Sequence, residues 1–129
     1  MNKFCQTTSV EVNLIDHGPG FLYFRADRKM VKVFLDDILY VESYRDYIII
    51  HKKNNEVRIK LTLGAAEKML PQNLFLRIHR SFIVSISKVT AFTKFDVEIG
   101  KIELPIGRSF PKVVKRLTNN DSILSDLNN

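Results

Sequence analysis

The sequence predicts a mostly β domain of short antiparallel strands with one or two short helices. Three observations carry that expectation. Val and Ile together number 24 against 4 Ala, a bias toward β-branched side chains that pack well on a pleated surface. Apolar residues come in short alternating runs. Turn residues (Gly18-Pro19-Gly20, Lys53-Asn54-Asn55 and Gly100) separate those runs at short intervals. The chain has 129 residues, of which 45% are apolar and 26% charged, enough for one domain with a real core.

The elements follow in order. Residues 1–20 mix polar residues with short apolar triplets and end at the Gly/Pro cluster. They read as a leader or linker, although the alternation of Val10, Val12 and Leu14 would also suit an added strand. The domain proper spans 21–118, and 119–129 is a tail that starts at Asn119-Asn120-Asp121. Within the domain, Phe21 to Arg25 is a first strand and Asp27-Arg28-Lys29 a polar turn. Val31, Val33 and Leu35 share one face of a second strand. Asp36-Asp37 makes a break, with room for one helical turn, before the strand Ile38 to Glu42. Tyr47 to Lys52 and Glu56 to Leu61 flank Lys53-Asn54-Asn55 as a hairpin, the second arm placing Val57, Ile59 and Leu61 opposite Arg58 and Lys60.

One helix follows. Thr62 can N-cap it, Leu63, Ala66 and Leu70 fall at helical spacing, and Pro71 stops it. The acid of a capping box is absent, since Ala65 takes that place. Phe82 to Val84, Val89 to Thr93 and Val97 to Leu104 are again β-like, with Gly100 turning the last hairpin. Ser109 can cap a short final helix with Phe110, Val113, Val114 and Leu117 inward and Lys112, Lys115 and Arg116 outward.

Charge narrows the function. The chain is +6 overall, but residues 25–118 hold 19 basic and 10 acidic residues, net +9, between ends that are slightly acidic. A basic body with acidic ends suggests a polyanion partner, nucleic acid or an anionic membrane surface; the plain alternative is an inert basic surface. No catalytic constellation is visible. Asp36 and Asp37 are adjacent, which suits a turn better than an acid/base pair. Cys5 has no histidine near it in sequence, and His17, His51 and His79 lack metal-ligand spacing. Neither a Walker loop nor a G-x-G-x-x-G is present. The expectation is a non-enzyme without metal or cofactor. No apolar run approaches the roughly 20 residues of a membrane span, so no membrane insertion is expected. The N-terminus lacks signal-peptide features, and a lone cysteine fits a reducing, cytoplasmic setting.

The most unusual stretch is Phe75-Leu76-Arg77-Ile78-His79-Arg80-Ser81-Phe82-Ile83-Val84, two arginines bracketing a histidine between apolar flanks. Arginine offers a rigid fork of donors for phosphate or for the O6/N7 edge of guanine; the plain alternative is a strand or helical turn whose charges are merely solvated. Around it stand Ile38-Leu39-Tyr40-Val41-Glu42-Ser43 with Tyr47-Ile48, and Leu104-Pro105-Ile106-Gly107-Arg108-Ser109. In order and separation these three blocks resemble the LytTR (LytR/AlgR-type) DNA-binding domain, an output module of bacterial response regulators, over roughly residues 21–118. One departure is Ser85, where the family often has Asn.

The resemblance implies an elongated fold of small antiparallel sheets in which loops, rather than a recognition helix, enter successive major grooves. Carried over residue by residue, the groove-facing groups are Arg45, Asp46 and Tyr47 after the first block, His79 and Arg80 in the second, and Arg108 after the last strand. At Arg108 the residues agree independently. Pro105 ends or edges a strand because it cannot donate in a ladder, and Gly107 permits a sharp exit. Arg77, Lys52, Lys53, Arg58, Lys60, Lys112 and Lys115 are generic candidates for phosphate contact.

The expected partner is therefore double-stranded DNA, bound by a homodimer on paired sites, with a receiver domain possible outside this chain. The expected role is the sequence-specific output domain of a two-component transcriptional regulator. Two alternatives stand beside it. One is a single-stranded nucleic-acid module using Tyr44 and Tyr47. The other is a protein-interaction module contacting a membrane-bound regulator.

Overall fold

A computed structural model describes residues 20–119, so the leader residues 1–19, Cys5 and the possible strand through Val10 to Leu14 lie outside the described residues, as does the tail beyond 119. The described residues form three antiparallel sheets and two short helices. Strands β1 (Phe21–Ala26) and β2 (Lys29–Phe34) make a hairpin. A 3-10 turn at Leu35–Asp37 leads into β3 (Ile38–Tyr44), β4 (Tyr47–Lys52) and β5 (Glu56–Ile59). Helix α1 (Leu63–Met69) is followed by β6 (Phe75–His79) and β7 (Phe82–Ser85). Then come a 3-10 turn at Ile86–Lys88, β8 (Ala91–Phe92), β9 (Asp96–Ile99), β10 (Ile102–Pro105) and α2 (Val113–Asn119).

The central sheet has the order β5-β4-β3-β7-β6, and β10-β9-β8 form a second sheet. Because successive strand residues point to opposite faces, neighbours in β7 serve different cores. Ile83 packs with Val41, Ile48, Ile50 and Ile59 against Leu22, Phe24 and Val33 of the first hairpin and Leu63, Ala66 and Leu70 around α1. Val84 packs with Ile78 against Val97, Ile99 and Leu104 of the small sheet and Val113 and Leu117 of α2. The central sheet is thus clamped on both faces. Truncating a fully buried residue such as Ile83 to Ala would cost about 2–5 kcal/mol.

Most elements match the sequence reading, and the differences have local causes. Leu35 leaves the second strand and turns inward in the 3-10 turn, still buried. The strand after Asn55 ends at Ile59 rather than Leu61, because Thr62 already caps α1, its hydroxyl accepting from the Ala65 N–H at 3.1 Å. The run Val89 to Thr93 keeps only Ala91–Phe92 as strand, since Val89 closes the 3-10 turn on the Ile86 carbonyl. The final helix does not start after Ser109. It begins at Val113, because the Phe110 N–H closes a turn on the Gly107 carbonyl at 3.0 Å and the Val113 N–H bonds the Phe110 carbonyl. Arg116, expected outward, is half-buried and donates to the Gln72 carbonyl.

Candidate nucleic-acid interface

Three connections lie at one end of the central sheet, where β3, β6 and β10 finish. The first is the two-residue loop Arg45-Asp46 between Tyr44 and Tyr47, which pair across the hairpin. Arg45 adopts a left-handed conformation with φ 58°, which costs a side-chain-bearing residue about 1–2 kcal/mol. Its guanidinium stands 5.4 Å from the Tyr44 ring, and that ring meets Tyr47 edge-on at 5.5 Å. Tyr47 is half-buried, and its hydroxyl accepts from Arg58 at 3.2 Å. Asp46 is exposed and faces Lys60 at 3.8 Å.

The second is the turn between β6 and β7. A register shift between Arg77 and His79 aims the turn away from the regular ladder. Arg77 fastens it from below: its Nε–H donates to the His79 carbonyl at 3.2 Å, a terminal N–H to the Arg80 carbonyl at 2.7 Å, and the other terminal nitrogen to Glu67 at 3.0 Å. The Ser81 N–H donates to Nδ1 of His79 at 3.0 Å, so in the neutral ring Nε2 carries the proton and is the donor left over. Arg80 is exposed at the tip. The Ser43 N–H donates to the Ser81 carbonyl at 2.9 Å, placing this turn beside the first loop.

The third is the loop after β10. The Gly107 N–H donates to the Ile78 carbonyl at 2.8 Å, which stitches the loop to the His79–Arg80 turn. A Cβ at Gly107 would stand 3.0 Å from Phe110 Cδ1 and 3.3 Å from His79 Cδ2, so glycine is what allows the approach. Arg108 follows immediately and is exposed. Among the described residues, neither Arg80 nor Arg108 has a side-chain hydrogen bond or ion pair.

The expected base-facing residues therefore come together on one end: Arg45, Asp46, Tyr47, His79, Arg80 and Arg108, with Lys60 and Arg58 beside them. Lys52 and Lys53 do not join them. They lie at the far end of β4, a strand length of roughly 17 Å away at about 3.3 Å per residue, and Lys53 pairs with Asp36 at 3.5 Å. Lys112 and Lys115 are exposed before and on α2. Arg77 is turned inward onto carbonyls. Ser85 is 4% exposed, inside the sheet. The positioning part of Arg77 and the N–H of Ser81 were not visible in the sequence, where a basic residue near a basic motif carries no sign of facing inward.

No group of three or more His, Cys, Asp or Glu among the described residues could hold a metal, and no helix among them is long and apolar enough to cross a membrane.

The family model of the LytTr DNA-binding domain matches residues 28–119. The chain belongs to this family. It is 30% identical over 97 residues to the sensory transduction protein LytT of Bacillus cereus and of Bacillus anthracis, covering 70% of this chain and 39% of each relative. It is 32% identical over 80 residues to the CO-responsive transcriptional regulator RcoM of Rhodospirillum rubrum, covering 56% of this chain and 34% of that protein. The chain thus spans well under half the length of these relatives. In fold it is similar to the LytTr DNA-binding domain of a methyl-accepting/DNA response regulator from Bacillus cereus. That likeness has a TM-score of 0.63 at 20% identity and covers 78% of this chain and 97% of that one. The LytTr domain described here is a DNA-binding domain, and its mostly β fold of small antiparallel sheets is the family's.

Proposed function

We infer that this LytTr domain reads a specific double-stranded sequence through the three loops at one end of its central sheet. The observation that carries the reading is the stitch between the Gly107 N–H and the Ile78 carbonyl, which fixes the Arg108 loop against the His79–Arg80 turn. A base-reading arginine needs its backbone held and its guanidinium exposed, and among the described residues Arg108 meets both. Arg80 and Arg45 extend the same cationic end. Nε2 of His79 offers a donor, and Asp46 and Tyr47 shape the first loop. Arg58 and Lys60 flank it, and Lys112 and Lys115 lie within reach in sequence; these four serve phosphates. Phosphate contacts position the domain, and the loop arginines specify.

The relatives are a sensory transduction protein and a CO-responsive transcriptional regulator, both longer than the matched region. The reading extends to a cytoplasmic output module of a longer bacterial regulator, with a receiver domain outside this chain and a homodimer on paired sites. Its work is recognition rather than catalysis.

The test is a selection from random duplexes followed by Arg108→Ala. The variant should lose about 1–3 kcal/mol on the selected site while binding to a scrambled duplex barely changes. Equal losses on both would reduce Arg108 to a phosphate clamp. Tighter binding to single strands or to anionic vesicles than to any duplex would overturn the reading.

A further inference from the structure

Phe95 is the most exposed large apolar side chain among the described residues, at 74%. It does not sit on a loose loop. The Thr93 hydroxyl oxygen accepts from the Phe95 N–H at 3.0 Å and from the Asp96 N–H at 3.1 Å, and the hydroxyl donates to the Asp96 carboxylate at 2.9 Å. The Thr93 N–H closes the turn on the Asp96 carbonyl at 2.9 Å. Lys94, also exposed, completes it.

This turn is braced against the interface. The Phe95 carbonyl accepts from the Ile106 N–H at 2.8 Å. Ile106 precedes Gly107, whose N–H holds the Ile78 carbonyl, and stands two residues before Arg108. A backbone path of two hydrogen bonds therefore ties Phe95 to the loop of Arg108 and to the turn of His79 and Arg80.

An aromatic ring held open to water forgoes burial that would favour folding. A rigid turn that keeps it there, with a lysine beside it and base-reading arginines adjoining, matches what a duplex rim takes. An apolar side chain packs on deoxyribose or on a thymine methyl, and an ammonium meets phosphate.

We propose, resting on the duplex reading above, that the 93–96 turn is a fourth DNA-contacting element. Phe95 packs on the sugar and thymine-methyl edge flanking the bases read by Arg108, and Lys94 holds the adjoining phosphate. Neither residue lies in the three sequence blocks that mark the family, so this contact tunes the preference of this particular chain at the flank of its site.

The experiment uses the full chain and the duplex it selects, cut down to a single half-site, with a scrambled duplex alongside. Phe95→Ala should lower half-site affinity about tenfold and scrambled binding less than twofold. Its melting temperature should fall by no more than a few degrees, because Phe95 is already 74% exposed and little buried area is removed. Phe95→Leu should recover most of the loss. Lys94→Ala should flatten the slope of log affinity against log salt by about 0.9. Half-site affinity of Phe95→Ala within twofold of wild type, while Arg108→Ala loses affinity, would remove the turn from the interface and leave the duplex reading intact. An unchanged half-site with weakened binding to paired sites would make Phe95 a contact between copies and overturn the proposal. A wild-type chain that selects no duplex would overturn both.

Discussion

Arg77 separates two uses of a basic residue near DNA. Its guanidinium makes three hydrogen bonds within the domain, to the carbonyls of His79 and Arg80 and to Glu67, and its side chain is 21% exposed. Arg77→Met keeps the length and apolar stem and removes all three. Hydrogen bonds from a charged donor are worth about 1.5–3 kcal/mol each. The two carbonyls sit at a turn where water can replace the guanidinium, so each loss falls at the low end. Glu67 is 46% exposed, and its pair adds about 0–1 kcal/mol. The total is about 3–4 kcal/mol, or a fall in melting temperature of roughly 12–30 °C for a domain of this size. Loosening the turn should also cost about tenfold in affinity for the selected duplex, by displacing Arg80. The deciding measurement is the salt dependence. A residue that only positions the turn leaves the slope of log affinity against log salt unchanged, whereas a lost phosphate contact flattens it by about 0.9. Thermal melts and anisotropy titrations at four or five salt concentrations give both numbers. An unchanged melting temperature with a flattened slope would refute the positioning role and return Arg77 to the phosphate contacts.

Gly107→Ala should lower both stability and selected-site affinity, by about 1–3 kcal/mol in stability. The new Cβ presses on Phe110 and on a His79 ring already held by Ser81; wild-type binding and melting would mean that the loop can yield without moving Arg108. Asp36 bridges Lys88 at 3.3 Å and Lys53 at 3.5 Å, and the hydrogen bond and charge of Lys88, followed by the charge of Lys53, hold its carboxyl below the usual carboxylate range. Because the folded value is depressed, its contribution is present above the unfolded value and is lost as pH falls through the folded one. The group is 66% exposed, so Asp36→Asn should cost under about 1 kcal/mol at neutral pH. The gap in melting temperature from wild type should close in acid, and a gap independent of pH would refute the linkage.

Local chemistry was legible wherever it acted alone. The Lys53-Asn54-Asn55 hairpin, the Thr62 cap and Pro71 stop of α1, and the Gly100 turn, where φ is 61°, each follow from a few neighbouring residues. The final helix misled for the opposite reason. Ser109 is a good cap residue by type, but residues 107–110 are already committed to docking Gly107 on Ile78 and to the turn that Phe110 closes. A contact distant in sequence overrides a local preference there. Likewise Arg116 looks like one more outward charge until the chain between α1 and β6 brings the Gln72 carbonyl to it.

The interface shows the same division more sharply. Three sequence blocks resembled a known family, but nothing in their spacing shows that their loops meet. Two backbone hydrogen bonds do that, from Ser43 to Ser81 and from Gly107 to Ile78, and backbone groups are the part of a chain whose partners composition does not encode. Net charge is an equally poor guide to place. The basic excess spans residues 25–118 without marking any one position. Lys53, a phosphate candidate by charge, shares Asp36 with Lys88 away from the loops, while Arg77 bonds two carbonyls and Glu67. What distinguishes Arg80 and Arg108 is a combination: a backbone pinned by hydrogen bonds and a guanidinium left exposed. Positive charge attracts a polyanion to the whole body, while register on a base pair requires a donor whose position is already fixed before binding. By that criterion the proposed base readers are the loop arginines and not the more numerous strand and helix lysines, and a selected site should lose its preference on Arg108→Ala while it survives Lys53→Ala.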